Sequence, residues 1–470
     1  LDNIKIIEFS TENTTYIYND DTGLTFPKKD IDKLKEIINL LKHNNMKEKP
    51  VLREVDIQHF LLYEGFTQLI LSVTENCNFR CKYCYYYSGM YDYAPIFNRK
   101  NMNFDIAKKA VDYYFNNIFQ VLKYNPYRKP CVTFYGGEPL LNFDLIKSIV
   151  TYIRKKFPNI NVLYNITTNG YLLTKDIVDF LIDNDFYIAV SLDGYKENHD
   201  RNRTTIKGQK TFDKILQNLE YIRFHYPRYF YENISLICCY DWKTDLFKLE
   251  EFFSTNKNLP PLVRVNAAAP YFSKYYQIFT KEDFLNHQCQ IQKLKDVYFE
   301  QIKKKKKTSA FLDIFFGSNY RTLLIREKIT KSKGVFNFLH GSCVPGVKIF
   351  IDTDGNFHIC EKVNYSFPIG NIEEGLNYKK IIQVLNKYKE EITYECKKCP
   401  ISRLCTMCFA TFMTNNRFSK DPENICELLI KQTLSDFSEL YSLLESDPSF
   451  EEKLFHLNTK NKRRNYEHIL

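Results

Sequence analysis

Between Thr67 and Ala268 short apolar runs alternate with longer stretches in which apolar residues recur at helical spacing. The runs predict strands at Thr67–Val73, Val132–Tyr135, Asn161–Thr168, Tyr187–Leu192, Ile234–Cys239 and Val263–Ala268. The stretches between them predict helices near Phe104–Phe119, Phe143–Phe157, Lys175–Asn184, Thr211–Phe224 and Leu246–Ser254. Strands that alternate with helices in this way form parallel βα units, and a row of six makes an incomplete α/β barrel. In barrels of this kind chemistry gathers where the strands end, so the residue after each strand is a candidate for the site.

The flanks follow other patterns. Residues 1–65 read as a separate α+β unit: Ile4–Phe9 alternates, Thr15–Tyr18 and Leu24–Phe26 flank the turn signal Asn-Asp-Asp-Thr-Gly, and Ile31–Leu41 carries apolar residues at helical spacing. A short sheet with an open edge accepts an extended peptide as an added strand; a plain extension with no binding role is the alternative. The core is expected over 66–270 and a helical bridge over 271–340, with helices at Lys281–Ile302 and Phe311–Ile329. A cysteine-rich region follows over 341–430, then a helix and basic tail over 431–470.

Composition narrows the functional classes. The chain has 470 residues, 66 Lys and Arg against 56 Asp and Glu, and a net charge of +10. The basic residues form runs only at Lys303–Lys307 and Lys460–Arg464, which read as solvated helix ends and tail, so no nucleic-acid partner is expected. No apolar run approaches the ~18 residues of a membrane span, and no export signal opens the sequence. The 14 cysteines then read as metal ligands in a reducing cytoplasm rather than as disulfides.

The sharpest signal is Ser72–Tyr87, where Cys77, Cys81 and Cys84 stand in a CxxxCxxC spacing directly after an apolar strand. Thiolates are the soft ligands of iron–sulfur clusters, and three of them hold three irons of a four-iron cluster and leave one open. Zinc wants four ligands, and the nearest further one, His59, lies well before the strand. The ends of the later strands carry Gly136-Gly137-Glu138-Pro139, Thr168-Asn169-Gly170, Ser191-Leu192-Asp193-Gly194 and His199-Asp200-Arg201-Asn202-Arg203. Paired glycines let the backbone approach a ligand closely, and Glu138 with the turn carbonyls suits an ammonium group.

Seven further cysteines lie between Cys343 and Cys426. Cys360 follows Gly355 as Gx4C, and Cys396, Cys399, Cys405 and Cys408 form CxxCx5CxxC. By itself that run suits zinc and iron alike; the first triad turns the reading to iron. Asp352–Asn356 opens like a calcium loop but lacks the bidentate glutamate at the twelfth position, so it reads as a hairpin turn between Val347–Ile351 and Phe357–Ile359. Cys131, Cys238, Cys239 and Cys289 lack ligand spacing and are expected to be plain thiols.

Taken together, these motifs resemble the radical S-adenosylmethionine (AdoMet) enzymes, with a partial (βα)6 TIM-like barrel. The resemblance implies a 4Fe-4S cluster on Cys77, Cys81 and Cys84, whose open iron is chelated by AdoMet, and cleavage of AdoMet to a 5'-deoxyadenosyl radical. It also implies cofactor contacts from Tyr83 to the adenine, from Gly136, Gly137, Glu138 and Pro139 to the ammonium, from Asn169, Ser191 and Asp193 to the ribose, and from Arg203 to the carboxylate. The second array resembles the SPASM domain, which holds two auxiliary 4Fe-4S clusters. That likeness assigns Cys343, Cys360 and Cys408 to the first and Cys396, Cys399, Cys405 and Cys426 to the second. The spacing departs from the usual pattern by one residue, since only Thr406 and Met407 precede Cys408. Phe336–Ser342 contains no cysteine, so an open iron is implied in the first auxiliary cluster, or a ligand such as His340 or a substrate thiolate.

Residues 1–65 are similar in order to the winged-helix-like RiPP recognition element, which holds leader peptides of ribosomally made, post-translationally modified peptides. The resemblance therefore implies an oxidoreductase with a leader-bearing precursor peptide as substrate and an external electron donor such as flavodoxin or ferredoxin. Formation of sulfur-to-carbon thioethers, as in sactipeptide and ranthipeptide maturases, is the expected chemistry. Carbon-to-carbon cross-linking, another peptide modification, and anaerobic sulfatase-type oxidation of Cys or Ser to formylglycine are the alternatives. In the sulfatase enzymes an aspartate base follows the second SPASM cysteine, and here Glu361 holds that position. A non-enzymatic iron–sulfur carrier is the remaining class, and it leaves the strand-end motifs without a role.

Overall fold

A computed structural model describes residues 5–42, 51–91, 94–95, 97–268, 273–326, 328, 336–414, 416–420 and 424–456. Of the expected features, Ile4, the end of a helix at Ile329 and the basic run Lys460–Arg464 lie outside the described residues.

An antiparallel sheet of β1 (Ile6–Ser10), β2 (Thr15–Asn19) and β3 (Leu24–Pro27) leads into a helix over Ile31–Lys42. Ile17 on β2 packs with Leu34 and Ile38 of that helix in a small core of their own. The next helix, Glu54–Glu64, buries Ile57 and Leu61 in the main core.

Six parallel strands follow: β4 (Gln68–Thr74), β5 (Cys131–Gly136), β6 (Leu163–Thr168), β7 (Tyr187–Ser191), β8 (Ile234–Tyr240) and β9 (Leu262–Ala267). They pair in sequence order, as right-handed βαβ crossovers dictate. All seven residues of β4 are buried, which is why parallel strands covered on both faces read as continuous apolar runs. Helices at Phe104–Tyr124, Phe143–Lys156, Lys175–Asp183, Phe212–His225 and Leu246–Thr255 cover the outside. Each turns its apolar stripe inward, as Ala107, Val111, Phe115 and Ile118 do along the first of them. This is the partial α/β barrel that the alternation predicts.

The sheet does not stop at β4. Strand β10 (Lys348–Ile351) joins β4 in parallel register, and β11 (Asn356–His358), β12 (Gly370–Asn371) and β13 (Gly375–Leu376) extend the sheet antiparallel to one another. The hairpin expected around Asp352–Gly355 therefore serves as the join between the barrel and the second cysteine array. Its turn closes on the Asp352 carboxylate, which accepts from the backbone N–H groups of Asp354 and Asn356 at 2.9 Å each and from His358 Nε2 at 2.9 Å.

The bridge contains the expected long helix, at Lys281–Lys303. The second helix differs from the expectation: a π-helical turn at Asp313–Gly317 divides it into Ala310–Leu312 and Ser318–Ile325. Arg321 bonds Asp313 at 2.6 Å across that turn, a pairing the apolar period does not record.

Candidate active site

The segment after β4 leaves the sheet at its C-terminal edge and crosses the barrel mouth without regular structure. Backbone bonds hold it to the segment after the 196–202 helix: Arg80 N–H to Thr204 O at 2.8 Å, Lys82 N–H to Asn202 O at 3.0 Å, and Ile206 N–H to Asn78 O at 3.0 Å. Arg80 turns back to bond the carbonyls of Cys77 and Phe79, and Phe79 is buried beneath the loop. Cys77, Cys81 and Cys84 are thereby held half-buried at the mouth. Burial first, then the nearby Glu138 carboxylate, pushes the Cys77 thiol up to about 12. Burial also pushes Cys81 up to about 11, against the pull of Arg203. Thiols this costly to ionise become thiolates when a cation coordinates them.

Gly136 and Gly137 lie against this loop so closely that a Cβ at Gly136 would stand 2.1 Å from Thr74 O, and one at Gly137 would stand 2.2 Å from Asn76 O. Gly136 has φ of +137°, a conformation L side chains rarely adopt. Glu138 sits differently from the expectation of a carboxylate open to an ammonium group. It is 1% exposed, and its oxygens accept from Thr168 Oγ1 at 2.7 Å, Asn169 N–H at 2.7 Å and Leu140 N–H at 3.2 Å. It therefore ties the ends of β5 and β6 together, while burial pushes its carboxyl up to about 7 in spite of those donors. Pro139 opens the 3-10 turn behind it. Asn169 extends the tie to the cysteine loop through Nδ2 to Asn78 Oδ1 at 2.8 Å.

The opposite wall is a cluster of charge. Tyr83, from the loop, donates its hydroxyl to the fully buried Asp193, and Arg203 Nη1 donates to the same hydroxyl at 2.8 Å. The Arg203 and Asp193 charges stand 3.8 Å apart. Asp193 Oδ1 also accepts from the backbone N–H of Cys239 at 3.0 Å, which ties the ends of β7 and β8. Ser191 closes β7 two residues before it. Behind them Asp241 accepts from Arg201 at 2.8 and 2.9 Å, Tyr275 at 2.8 Å and Asn202 at 3.0 Å.

The second array meets the first across the barrel mouth. Tyr86 Oη donates to the carbonyl of Glu361 at 2.9 Å. The Tyr135 phenol, at the end of β5, lies within electrostatic reach of Glu361, Cys84 and Cys360. Cys343 and Cys360 are each within such reach of Cys408 and Glu361. Cys405 is in the same relation to Cys396, Cys399 and Cys426. Gly341 permits the first grouping, since a Cβ there would stand 2.4 Å from Cys405 O and 2.9 Å from Met407 O.

Three observations bear on whether these residues suit AdoMet and iron–sulfur clusters. Arg203 is 8% exposed, and its Nε has no hydrogen-bond partner, a buried donor suited to a carboxylate. The Gly136–Gly137 turn leaves no room for side chains beside the cysteine loop. Among the described residues no three His, Cys, Asp or Glu side chains converge as one metal ion requires, at ~2.3 Å from each sulfur. A four-iron cluster gives each thiolate its own iron and takes thiols set wider apart. The residues fit both groups.

Comparison with known proteins agrees. Residues 71–237 match the model of the radical SAM superfamily. These residues are a radical SAM domain. The chain is 28% identical over 329 residues to the cysteine-type anaerobic sulfatase-maturating enzyme of Clostridium novyi, covering 66% of this chain and 78% of the relative. It is 26% identical over 163 residues to the radical SAM cyclopropyl synthase TigE of Paramaledivibacter caminithermalis, covering 34% of this chain and 33% of that one. The structure of native anSMEcpe with bound AdoMet and Kp18Cys peptide shares the fold, with a TM-score of 0.57 and 20% identity over 83% of this chain and 98% of that chain. A radical SAM domain implies AdoMet and a 4Fe-4S cluster. No described helix of this chain is long and apolar enough to cross a membrane.

Asp241, Tyr86, Tyr135 and Cys239 line or support the site of this radical SAM domain and were not legible as site residues. Cys239 carried no ligand spacing, yet its thiol stands in electrostatic reach of Asp193, Arg203 and Cys81. The one available signal was position, since Tyr135, Cys239 and Asp241 all lie where a strand ends.

Proposed function

We propose that this protein is a radical SAM maturase of a ribosomally made precursor peptide, and that it joins a cysteine sulfur to a carbon of that peptide. The observation that carries this reading is the group Cys343, Cys360 and Cys408, three thiols beside Glu361 and linked by Tyr86 to the first cysteine loop. Three thiols are one short of the ligands that close a four-iron cluster, which leaves a position for a substrate cysteine. When bound, AdoMet and its cluster would supply a 5'-deoxyadenosyl radical that takes one hydrogen atom from a substrate carbon, and the first auxiliary cluster would accept the remaining electron as the cysteine sulfur gives up its proton and bonds that carbon.

The chain's own residues would hold and orient these groups. Cys77, Cys81 and Cys84 would ligate the first cluster. Arg203 would bind the AdoMet carboxylate through its free Nε while Asp193 and Tyr83 hold the guanidinium in place. The Gly136–Gly137 turn would let the cysteine loop lie close to the end of β5, with Asn169 and Ser191 at the neighbouring strand ends beside the cofactor. Cys396, Cys399, Cys405 and Cys426 would hold the second auxiliary cluster, making three 4Fe-4S clusters in all. The sheet β1–β3 supports a leader-binding role, with an edge strand adding the leader. A flavodoxin or ferredoxin would supply electrons, and a reducing cytoplasm would preserve the clusters.

The sulfatase-type oxidation is a second reading, favoured by the relative from Clostridium novyi and by Glu361 directly after Cys360. Glu361 Oε2 is buried with no hydrogen-bond partner, as suits a base awaiting a substrate proton. Incubation with cysteine-containing peptides, both a sulfatase-type sequence and any short cysteine-rich peptide encoded beside the gene, separates the readings by mass. A thioether keeps its sulfur and loses two hydrogens, whereas formylglycine made from cysteine has lost the sulfur. An aldehyde product without cross-linked peptide would replace the first reading with the second.

A further inference from the structure

The sheet β1–β3 grips both segments that carry the second group of cysteines. At one end, the turn after β2 buries Asp20, 3% exposed, against Ser402, 4% exposed. Asp20 Oδ1 accepts from the backbone N–H of Arg403 at 2.9 Å, and Oδ2 accepts from the Ser402 hydroxyl. Arg403 returns two bonds of 2.8 Å, to the carbonyls of Asp20 and Asp21. Lys5 Nζ donates to Ser402 Oγ at 3.1 Å and stands 3.7 Å from Asp20 Oδ2. Ser402 and Arg403 belong to the five residues between Cys399 and Cys405.

At the other end the sheet packs on the helix Ile425–Ser446, whose second residue is Cys426. Phe9 stacks on Phe437 with ring centroids 5.0 Å apart, and Tyr16 meets Tyr441 at 4.8 Å. Glu445 accepts from Thr11 at 2.9 Å, Tyr16 at 2.9 Å and Asn13 at 3.1 Å. A loop and a helix that are separate in sequence are thus both fastened to one small sheet. The same contacts bring charge to the cysteines: Lys5 lies within electrostatic reach of Cys396 and Cys399, and Asp20 within reach of Cys399.

We infer that the N-terminal sheet is a positioning part of the second auxiliary cluster: Asp20 holds the loop that presents Cys399 and Cys405, and the Lys5 ammonium tunes the cluster's potential. This rests on the reading of Cys396, Cys399, Cys405 and Cys426 as its ligands. Reduction adds one negative charge to a cluster, and a cation nearby favours that state by Coulomb attraction. Removing Lys5 therefore makes the cluster harder to reduce.

The test uses the full chain, reconstituted without oxygen, as wild type, Asp20→Asn, Lys5→Gln and Cys399→Ala, with iron counted and each cluster titrated by electron paramagnetic resonance. Asp20→Asn is expected to lose about four irons, one cluster's content, while 5'-deoxyadenosine formation at the first cluster shows the barrel intact. Lys5→Gln is expected to keep all its iron and to shift the midpoint potential of one cluster downward, leaving the others in place. Iron loss in Cys399→Ala, together with full iron in Asp20→Asn and unshifted potentials in Lys5→Gln, overturns this inference alone. Full iron in Cys399→Ala overturns the ligand reading, and this inference with it.

Discussion

Tyr86 donates its hydroxyl to the main-chain carbonyl of Glu361, 2.9 Å away and 275 residues along the chain. The bond joins the loop of the first three cysteines to the residue after Cys360, a side-chain link between the two cysteine arrays in addition to the backbone pairing of β10 with β4. Tyr86 also stacks on Phe97 with ring centroids 4.1 Å apart, which holds the phenol without the hydrogen bond.

Tyr86→Phe keeps that stacking and leaves the Glu361 carbonyl without this donor. We expect a stability loss of about 1 kcal/mol, full iron content, and 5'-deoxyadenosine formation that outruns peptide modification. The ratio of 5'-deoxyadenosine to modified peptide is the measurement, and a ratio equal to wild type would deny the bond any part in aligning the two arrays.

Replacing Cys77, Cys81 and Cys84 together by Ala should remove about four irons and abolish AdoMet cleavage, while the iron of the second array remains. Iron analysis and chromatography of 5'-deoxyadenosine report the two effects separately. Undiminished 5'-deoxyadenosine would refute the assignment of the first cluster.

For Arg203, the free Nε and the hold exerted by Tyr83 and Asp193 point to binding rather than chemistry. Arg203→Lys keeps a charge but not the fork, and loss of a hydrogen bond to a charged group costs about 1.5–3 kcal/mol. AdoMet should bind about 10- to 100-fold more weakly, with iron content unchanged. Equilibrium dialysis with labelled AdoMet measures this directly.

The barrel was legible because its strands are buried on both faces and end at turn-forming residues, so apolar runs such as Gln68–Thr74 stand out between helical periods. Motif spacing carried the first cysteine loop in the same way. What spacing does not carry is the long-range partner of a single polar residue. Glu138 reads as a free carboxylate until Thr168 and Asn169 are seen to fill it. Asp20 reads as a turn residue until Ser402 and Arg403 close on it. The π-helical turn at Asp313–Gly317 was likewise hidden, since it makes no break in the apolar period and that period does not record the Asp313–Arg321 pairing that spans it.

Asp241 gives a pH-dependent prediction. Burial works to raise its carboxyl, but the hydrogen bonds and charge of Arg201, with Tyr275 and Asn202, outweigh burial and hold it below the ordinary carboxylate value. A carboxylate so depressed contributes stability that is fully present above its unfolded value, about 3.9, and lost as pH falls through the lower folded value. Asp241→Asn leaves Arg201 without its counter-charge and should cost about 3 kcal/mol at pH 7. The difference from wild type should narrow below about pH 4. Melting curves read by Trp242, the single tryptophan, test both statements, and a difference that does not shrink at low pH would contradict the charge argument.

The last prediction separates the chemistries and concerns Cys408. If Cys343, Cys360 and Cys408 hold a cluster that leaves room for a substrate sulfur, two demands fall on different parts of the chain: radical formation on the first array, sulfur positioning on the second. Holding sulfur beside the carbon that loses hydrogen turns a chance encounter into an oriented one, an advantage of several kcal/mol on the order of 7 or more. Cys408→Ala should therefore spare 5'-deoxyadenosine formation and stop the sulfur-to-carbon bond. A peptide whose acceptor Cys is changed to Ser should fail to cross-link for the same reason, and should leave the iron spectra unchanged where the Cys peptide alters them. Conversion of the Ser peptide to an aldehyde would transfer the assignment to sulfatase-type oxidation, with Glu361 as the base to be tested next by Glu361→Gln. A cross-link that forms with no cysteine present would instead mean a carbon-to-carbon bond, and the sulfur-positioning role of Cys343, Cys360 and Cys408 would have to be abandoned.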